Sequence, residues 1–181
     1  MELFTTPLQG LIKLRPRVFA DDRGLFMEAF NAQAFAAATG ITAPFVQDNE
    51  SRSKAGVLRG LHLQAAPHAQ AKLVRVPKGA VLDVCVDLRS DSPTFGQHYM
   101  ARLDDIGHEM LYIPEGMAHG FLALEDGTVF NYKCSAYYTP SAERTIRWDD
   151  PELGIDWGGG NFIISEKDRA GSFFAERTWE R

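Results

Sequence analysis

The sequence has few of the features that mark secreted, membrane-embedded or nucleic-acid-binding proteins. Its two cysteines, Cys85 and Cys134, lie in strand-like runs, so we expect two buried thiols rather than a disulfide. No apolar run approaches the ~18 residues of a membrane span, and no secretory signal precedes the first strand-like run. The net charge of −5 argues against general affinity for nucleic acid. These absences predict a soluble, cytoplasmic protein.

The composition predicts one folding unit with a sizeable core. A length of 181 residues fits a single domain, 1–181. Hydrophobic residues make up 45% of the chain and aromatic residues 11%, which is enough apolar surface to bury. The acidic net charge still allows a small anionic ligand to be held by a few local arginines and lysines.

Short strand-like runs separated by turn sequences dominate the chain. They predict strands at 57–64, 72–76, 80–88, 97–103, 109–113, 120–124 and 128–138, with shorter ones at 25–30, 45–49 and 162–164. Turn signals recur every ~8–12 residues, which is typical of an all-β sandwich or barrel.

Three local patterns add detail to this plan. In 80–88 one strand face carries Leu82, Val84, Val86 and Leu88, and the other carries Asp83 and Asp87. Asn31 and Gly40 bracket an alanine-rich segment as N-cap and C′ residues, which predicts a short helix at 32–39. A capping-box pattern at Ser165 predicts a C-terminal turn or helix.

A partial metal-binding motif supplies the first chemical hypothesis. Residues 114–119 match the Pro-x-Gly-x-x-His pattern of cupin-like barrels, in which two histidines spaced two apart, an acid and a later histidine bind a metal. Here Gln64 replaces the second histidine after His62, and residues 67–69 supply no acid. Two histidines and an amide are a poor ligand set for a transition metal. We therefore expect a cupin-like barrel with no metal and no cofactor.

Six sequence blocks carry a resemblance to a known family. They are QDNESRS at 47–53, GVLRGLH at 56–62, KLVRV at 72–76, IPEGMAHGF at 113–121, YKC at 132–134 and IRWDDP at 146–151. In this order they resemble the dTDP-4-dehydrorhamnose 3,5-epimerases across nearly the whole chain. The resemblance implies a homodimeric, metal-independent, cupin-like double-stranded β-helix (jelly-roll) barrel with a few short helices. Its implied substrate is dTDP-4-dehydro-6-deoxy-D-glucose, an intermediate of dTDP-L-rhamnose synthesis.

Two positions depart from the family pattern. Leu63 stands where the family commonly has an aromatic residue, and Glu50 stands where it often has histidine. Both departures leave open a relative that epimerises one carbon only.

The implied reaction explains the choice of a base. C3 and C5 of the sugar flank the C4 ketone, so loss of a proton from either carbon gives an enolate. His62 is the predicted base because imidazole titrates nearest to working pH. The resemblance assigns Asp168 as the carboxylate that orients this ring. The alternatives are a histidine satisfied inside the barrel and an aspartate that only caps a helix.

Epimerisation also needs a group that holds the enolate oxygen and an acid on the opposite face. Lys72 shares strand parity with Val74 and Val76, and a buried ammonium needs a negative partner, which suits the enolate oxygen. Alternatively, Lys72 snorkels from the rim. The resemblance assigns Tyr132 as the acid opposite His62, whereas the commoner fate of tyrosine is an ordinary core position.

The remaining predicted contacts suit a nucleotide sugar and rest on the family resemblance. They are Arg23 and Arg59 for the pyrophosphate; Glu28, Gln47 and Asn49 for thymine or sugar edges; Asp48 for main-chain contacts; Tyr138 for stacking on thymine; and His119, Glu143 and Lys167 for further substrate contacts. Taken singly, a charged residue of this kind is more often a solvated surface residue than a ligand contact.

Three functional alternatives remain at this stage. A single-carbon epimerase would exchange a proton at C3 or C5 only. A cupin-type ketoisomerase or oxygenase would bind stoichiometric iron or manganese. A non-catalytic nucleotide-sugar binding module would bind its ligand without proton exchange.

Overall fold

The computed structural model describes residues 1–180, and most of its regular structure is short strands. In chain order the strands are β1 (Glu2–Thr5), β2 (Ile12–Arg15), β3 (Val18–Asp21), β4 (Gly24–Met27), β5 (Gln47–Ser53), β6 (Val57–Gln64), β7 (Lys72–Lys78), β8 (Ala80–Asp87), β9 (His98–Asp104), β10 (Met110–Ile113), β11 (Met117–Ala123), β12 (Thr128–Cys134), β13 (Glu143–Thr145) and β14 (Ile163–Ile164). The α-helices are α1 (Ala32–Thr39) and α2 (Glu166–Arg169), and 3₁₀ turns occupy Pro140–Ala142, Phe174–Glu176 and Thr178–Glu180. No helix within residues 1–180 is long and apolar enough to cross a membrane. The predicted domain, 1–181, ends one residue beyond this description.

Two six-stranded sheets form the body of the fold. The first sheet has the strand order β1-β2-β10-β7-β12-β5, and neighbouring strands run antiparallel. The second has the order β13-β6-β11-β8-β9, with β14 added parallel to β6. Strands β3 and β4 form a separate hairpin. This architecture confirms the predicted all-β, jelly-roll fold with a few short helices.

Apolar side chains fill the space between the sheets and cover both outer faces. Val74 and Phe130 of the first sheet pack with Phe121 of the second in the interior. The outer face of the second sheet is covered by the C-terminal segment 146–179. The buried ring of Phe35 anchors α1 against the first sheet, and burying a side chain of this size stabilises the fold by ~1.5–3 kcal/mol.

The local patterns behave largely as predicted. Asn31 Oδ1 accepts a hydrogen bond from Ala34 N at 3.0 Å, and Gly40 ends α1 in the left-handed conformation. Strand β8 is buried on both faces, and Asp83 shares the interior face with Cys85. Cys85 and Cys134 are free, buried thiols, as predicted.

Several predicted element boundaries are wrong; for example, the strand at 45–49 is Gln47–Ser53 and that at 120–124 is Met117–Ala123. The strand at 128–138 stops at Cys134, because its two partner strands begin at Gln47 and Lys72, the residues that pair with Cys134. The strand at 25–30 stops at Met27 for the same reason, since β3 begins at Val18. The strand at 72–76 runs on to Lys78 and is joined to β8 by Gly79 alone, where φ is +78° and an added Cβ would lie 2.6 Å from Thr128 Oγ1.

Candidate active site

A cavity of about 780 Å³ opens between the two sheets. Its walls come from β5, β7 and β12 of the first sheet and from β6, β11 and β13 of the second, and α2 contributes to its lining. Eleven of the predicted site residues line it: Gln47, Asn49, Arg59, His62, Lys72, His119, Tyr132, Tyr138, Glu143, Lys167 and Asp168. The sheet topology therefore gathers residues more than a hundred positions apart into one site.

His62 and Asp168 form a hydrogen-bonded pair on the wall of the second sheet. His62 Nε2 lies 2.6 Å from Asp168 Oδ1, and the two side chains are 28% and 5% exposed. Because an ionised carboxylate only accepts, Nε2 carries the proton and the neutral ring leaves Nδ1 as its basic nitrogen. Burial acts to raise the pKa of Asp168, but hydrogen bonds involving His62, Ser165 and Gly60 outweigh it and hold the pKa below its usual range.

The two interpretations of Asp168 hold together. Its backbone N donates to Ser165 Oγ at 3.1 Å, which is the N-cap bond of α2. Its side chain meanwhile accepts from His62. The cap fixes the helix turn that aims the carboxylate at the imidazole.

A β-bulge in β6 brings Arg59 and His62 into the same cavity. Strict alternation would place residues three apart on opposite faces of a strand. The pairing register between β6 and β11 shifts at this point, next to Gly60, where φ is +119°. An added Cβ on Gly60 would lie 2.5 Å from Gly120 Cα, so the close approach of β6 to β11 requires glycine.

Lys72 is a buried ammonium at the start of β7. Its Nζ donates to the His62 carbonyl oxygen at 3.2 Å, and the residue is only 8% exposed. Burial lowers the pKa of Lys72 below its usual range, while nearby thiols and carboxylates act in the opposite sense. The lysine is therefore an interior cation beside the imidazole rather than a snorkelling rim residue.

Tyr132 faces the cavity from the sheet opposite His62. It lies on β12, while His62 lies on β6, and both line the same space. Burial raises the pKa of the Tyr132 phenol. The hydroxyl therefore remains a proton donor throughout the neutral range.

A chain of polar contacts forms the rim of the cavity. Tyr138 OH donates to Glu143 Oε2 at 2.8 Å, and Lys167 Nζ lies 2.6 Å from Glu143 Oε1. Gln47 Oε1 accepts from Tyr138 N at 2.9 Å, and Gln47 Nε2 donates to Asn49 Oδ1 at 3.0 Å. The exposed Tyr138 ring is thereby held at the entrance, where a planar base can stack on it.

Three predicted contacts lie outside this cavity. Arg23 is at the tip of the β3–β4 hairpin, where it pairs with Asp21. Glu28 is exposed just beyond β4, and Asp48 points outward from β5 and pairs with Lys133 at 2.7 Å. Within one chain these residues do not join the eleven that line the cavity.

A second histidine–carboxylate pair lies deeper in the barrel. His119 Nε2 is 2.9 Å from Asp83 Oδ2, and the side chains are 8% and 0% exposed. The His119 ring stacks on Phe130 with centroids 5.8 Å apart. The sequence placed Asp83 on the face of 80–88 opposite its apolar face and gave it no functional role.

Gln64, which stands where a cupin-like metal site has its second histidine, is engaged by backbone groups. Its Nε2 donates to the carbonyl oxygens of His68 at 2.6 Å and Tyr137 at 3.3 Å, and its Oε1 accepts from Thr139 N at 2.6 Å. The amide thus anchors the loop after β12. In the part of the chain that the structure describes, no group of three or more His, Cys, Asp or Glu side chains is arranged to hold a metal.

Comparison with known proteins gives a consistent family match. The family model for dTDP-4-dehydrorhamnose 3,5-epimerase matches residues 5–176. A protein of that name from Pseudomonas aeruginosa is 51% identical over 170 residues, which cover 93% of this chain and 93% of the relative.

Solved structures agree with the sequence match. A dTDP-6-deoxy-D-glucose-3,5-epimerase from Legionella pneumophila, in complex with dTDP-4-keto-L-rhamnose, has a TM-score of 0.92 and 43% identity, covering 97% of this chain and 96% of that chain. A 3′-monoepimerase from Streptomyces bikiniensis, in complex with dTDP-quinovose, has a TM-score of 0.89 and 34% identity, covering 94% and 86%.

Proposed function

The chain belongs to the dTDP-4-dehydrorhamnose 3,5-epimerase family, as its sequence blocks predicted, and we propose that it converts dTDP-4-dehydro-6-deoxy-D-glucose to dTDP-4-dehydro-L-rhamnose. The protein is then an isomerase that inverts C3 and C5 by proton removal and return, without a metal or other cofactor. One observation carries the proposal: a histidine–carboxylate pair and a tyrosine line one cavity from opposite sheets.

His62 is the proposed base. The Nε2–H bond to Asp168 fixes the tautomer and leaves Nδ1 to take the proton from C3 or C5. The developing imidazolium lies against an ionised carboxylate, which lowers the cost of its charge. A well-placed base of this kind contributes typically ~10²–10⁴-fold to the rate.

Lys72 and Tyr132 complete the proposed chemistry. When the proton leaves, negative charge moves to the C4 oxygen, and the buried Lys72 ammonium is the cation next to His62 that can hold it. Tyr132 returns a proton from the opposite face, because it stands on the other sheet. Removal on one face and return on the other inverts the carbon.

The rim residues are proposed to bind the nucleotide. Tyr138 stacks on the thymine ring, and Gln47 and Asn49 contact base or sugar edges. Arg59 donates to pyrophosphate oxygens. Glu143, Lys167 and His119 contact the substrate, as the family resemblance implies.

A homodimer explains the contacts that lie outside the cavity. The β3–β4 hairpin exposes Phe19, Leu25 and Phe26, an apolar surface typical of a protein interface. Arg23 and Glu28 lie on or beside this hairpin, so we propose that they bind nucleotide in the partner subunit's cavity. Asp48 is the third predicted contact whose side chain lies outside the cavity, and we propose that it binds the nucleotide through its backbone.

Dimerisation has a direct test. We expect light scattering to give twice the chain mass, and Phe26→Asp to give a monomer with weakened nucleotide binding. A monomeric parent chain with full activity would contradict the proposed dimer.

A cytoplasmic location is proposed on the state of the two cysteines. Cys85 and Cys134 are both free thiols, which suits a reducing compartment.

The test of the reaction is conversion of dTDP-4-dehydro-6-deoxy-D-glucose followed by NMR of the sugar ring. We expect inversion at both C3 and C5. An unchanged sugar would overturn the proposal in favour of a binding module, and stoichiometric iron or manganese in the purified protein would favour a metal-dependent cupin activity.

A single-carbon epimerase is the second candidate. It is favoured by the similarity to a 3′-monoepimerase and by Leu63, a buried residue next to the cavity where the family commonly has an aromatic side chain. The same NMR measurement separates the two, because this activity inverts one carbon and leaves the other unchanged.

A further inference from the structure

Asp83 is a buried carboxylate that the proposed reaction does not yet use. It is fully buried on β8, where it accepts hydrogen bonds from His119 Nε2 at 2.9 Å and from the Cys85 thiol at 3.9 Å. Among residues 1–180, His119 is its single ion-pair partner. A carboxylate this deep requires nearby positive charge to remain ionised.

The candidate for that charge is Lys72, whose Nζ donates to the carbonyl of His62, the β6 residue that pairs with His119 on β11. The groups around Lys72 can be sorted by charge. The groups that act on it besides the adjacent His62 carbonyl are Cys134 on β12, Cys85 and Asp83 on β8, and Glu143 on β13, and the rings of His62, His119 and Tyr132 line the same cavity. Burial raises the pKa of both thiols, that of Cys85 well above its usual range, so neither carries charge at neutral pH. Two carboxylates, Asp83 and Glu143, remain.

Glu143 is already matched by another cation. Lys167 Nζ lies 2.6 Å from its Oε1, and Tyr138 donates to its Oε2 at 2.8 Å. Asp83 has no lysine or arginine partner within the described chain. It is therefore the carboxylate whose charge is available to the buried Lys72.

We propose that Asp83 is a positioning residue for this reaction: its carboxylate keeps the Lys72 ammonium charged and holds the His119 proton on Nε2. His119 then presents Nδ1 to the ligand. The role of Lys72 toward an enolate oxygen rests on the function proposed above. The effect of Asp83 on the charge of Lys72 and on the tautomer of His119 does not depend on that function.

The same strand offers a matched control. Asp87 lies four residues along β8 and is also fully buried. Its carboxylate receives hydrogen bonds from Arg89, Ser92 and Thr94 outside the cavity. Asp83→Asn and Asp87→Asn therefore remove a charge of equal burial from the same strand, but only the first acts on Lys72.

The primary experiment is a titration of Lys72 in the full chain, followed by ¹³C NMR of the lysine Cε and assigned with Lys72→Met. Loss of a nearby negative charge destabilises an ammonium, so in Asp83→Asn the Lys72 midpoint moves to lower pH, by about one pH unit or more. In Asp87→Asn it stays at the parent value. An equal midpoint in Asp83→Asn and the parent overturns the proposal.

A second measurement needs no variant that could fail to fold. In the parent chain, ¹⁵N NMR of the His119 ring must report a proton on Nε2. A neutral ring protonated on Nδ1 alone overturns the proposal.

The kinetic consequence separates this inference from the proposed function. In Asp83→Asn the alkaline limb of the kcat profile moves to lower pH together with the Lys72 midpoint, with kcat falling about tenfold for each pH unit above it. Asp87→Asn keeps the parent profile, and an unmoved limb in Asp83→Asn counts against the proposal. If the parent chain does not epimerise the sugar, the proposed function fails, while the two NMR measurements still decide the role of Asp83.

Discussion

The cavity contains two histidine–carboxylate pairs that share one geometry and differ in their access to water. His62 and Asp168 lie 2.6 Å apart, with the imidazole 28% exposed. His119 and Asp83 lie 2.9 Å apart, with the imidazole 8% exposed and the carboxylate fully buried. The ring of the first pair can exchange protons with solvent between turnovers, whereas the second ring is nearly buried and rests on a fully buried carboxylate.

This difference assigns the pairs to different tasks. A base that cycles between protonation states needs a route to water, which the pair at the opening has. A fixed negative charge acts over longer distance where water is excluded, because the effective dielectric constant is lower there. The opening pair therefore suits proton transfer, and the deep pair suits holding charge and orientation constant.

The largest expected effect comes from removing the base of the opening pair. In His62→Ala, turnover falls by at least ~10²–10⁴-fold, because no other described group takes its place beside Lys72. Steady-state kinetics on the dTDP-sugar measures the loss, and circular dichroism checks that the fold persists. His98→Ala, which alters a histidine of β9 outside the cavity, should retain activity, and a fully active His62→Ala would reverse the assignment of the two pairs.

The next largest effect is expected from Asp168, the carboxylate that is paired with His62. Asp168→Asn removes the negative charge that keeps the His62 proton on Nε2. The ring can then carry its proton on either nitrogen, so Nδ1 is no longer always the basic one. We expect kcat to fall by no more than ~10⁴-fold, the loss for the orienting aspartate of serine proteases, with a smaller change in KM. A change confined to KM would show that Asp168 binds substrate rather than orients the base.

A smaller and more selective effect is expected from the opposite sheet. Tyr132→Phe removes the acid but leaves His62, so protons still leave and return on the same face. Inverted product should fall by ~10²-fold while exchange of the sugar protons with deuterated water continues. Tyr99→Phe, on β9, is the matched control. Equal loss of exchange and inversion would contradict separate roles for the two rings.

The smallest effect concerns stability outside the cavity. Burial alone would raise the pKa of Asp87, but hydrogen bonds from Arg89, Ser92 and Thr94 lower it to about 2. The unfolded value is ~3.9, so the ionised carboxylate contributes roughly 2–3 kcal/mol above pH ~5, and this contribution is lost as the pH falls through 3.9 toward 2. Urea unfolding should find Asp87→Asn destabilised at pH 7 and nearly equal to the parent at pH 2. A constant difference across this range would contradict the assignment.

Local patterns and family blocks predicted much of this molecule. Alternation identified β8 and put Asp83 and Asp87 on one of its faces, and the Asn31 and Gly40 signals predicted α1. Strand ends were harder, because a strand such as β12 ends where its partner does, and that partner is distant in sequence.

In the site, too, some features could be predicted from the sequence and others depend on contacts between distant strands. The predicted pairing of His62 with Asp168 came from the resemblance, since no local pattern links residues 106 positions apart. The bulge at Gly60 was not visible, because it arises from the contact between β6 and β11. Asp83 was seen as a strand residue but not as the partner of His119, because that bond depends on the packing of β8 beside β11.

A crystal structure with the dTDP-sugar bound tests the assignment most directly. We predict the hexose ring between His62 and Tyr132, with His62 Nδ1 facing one side of the ring, the tyrosine hydroxyl facing the other, and the C4 oxygen against Lys72 Nζ. A sugar with both rings on the same side, or one bound outside the space between the sheets, would contradict it.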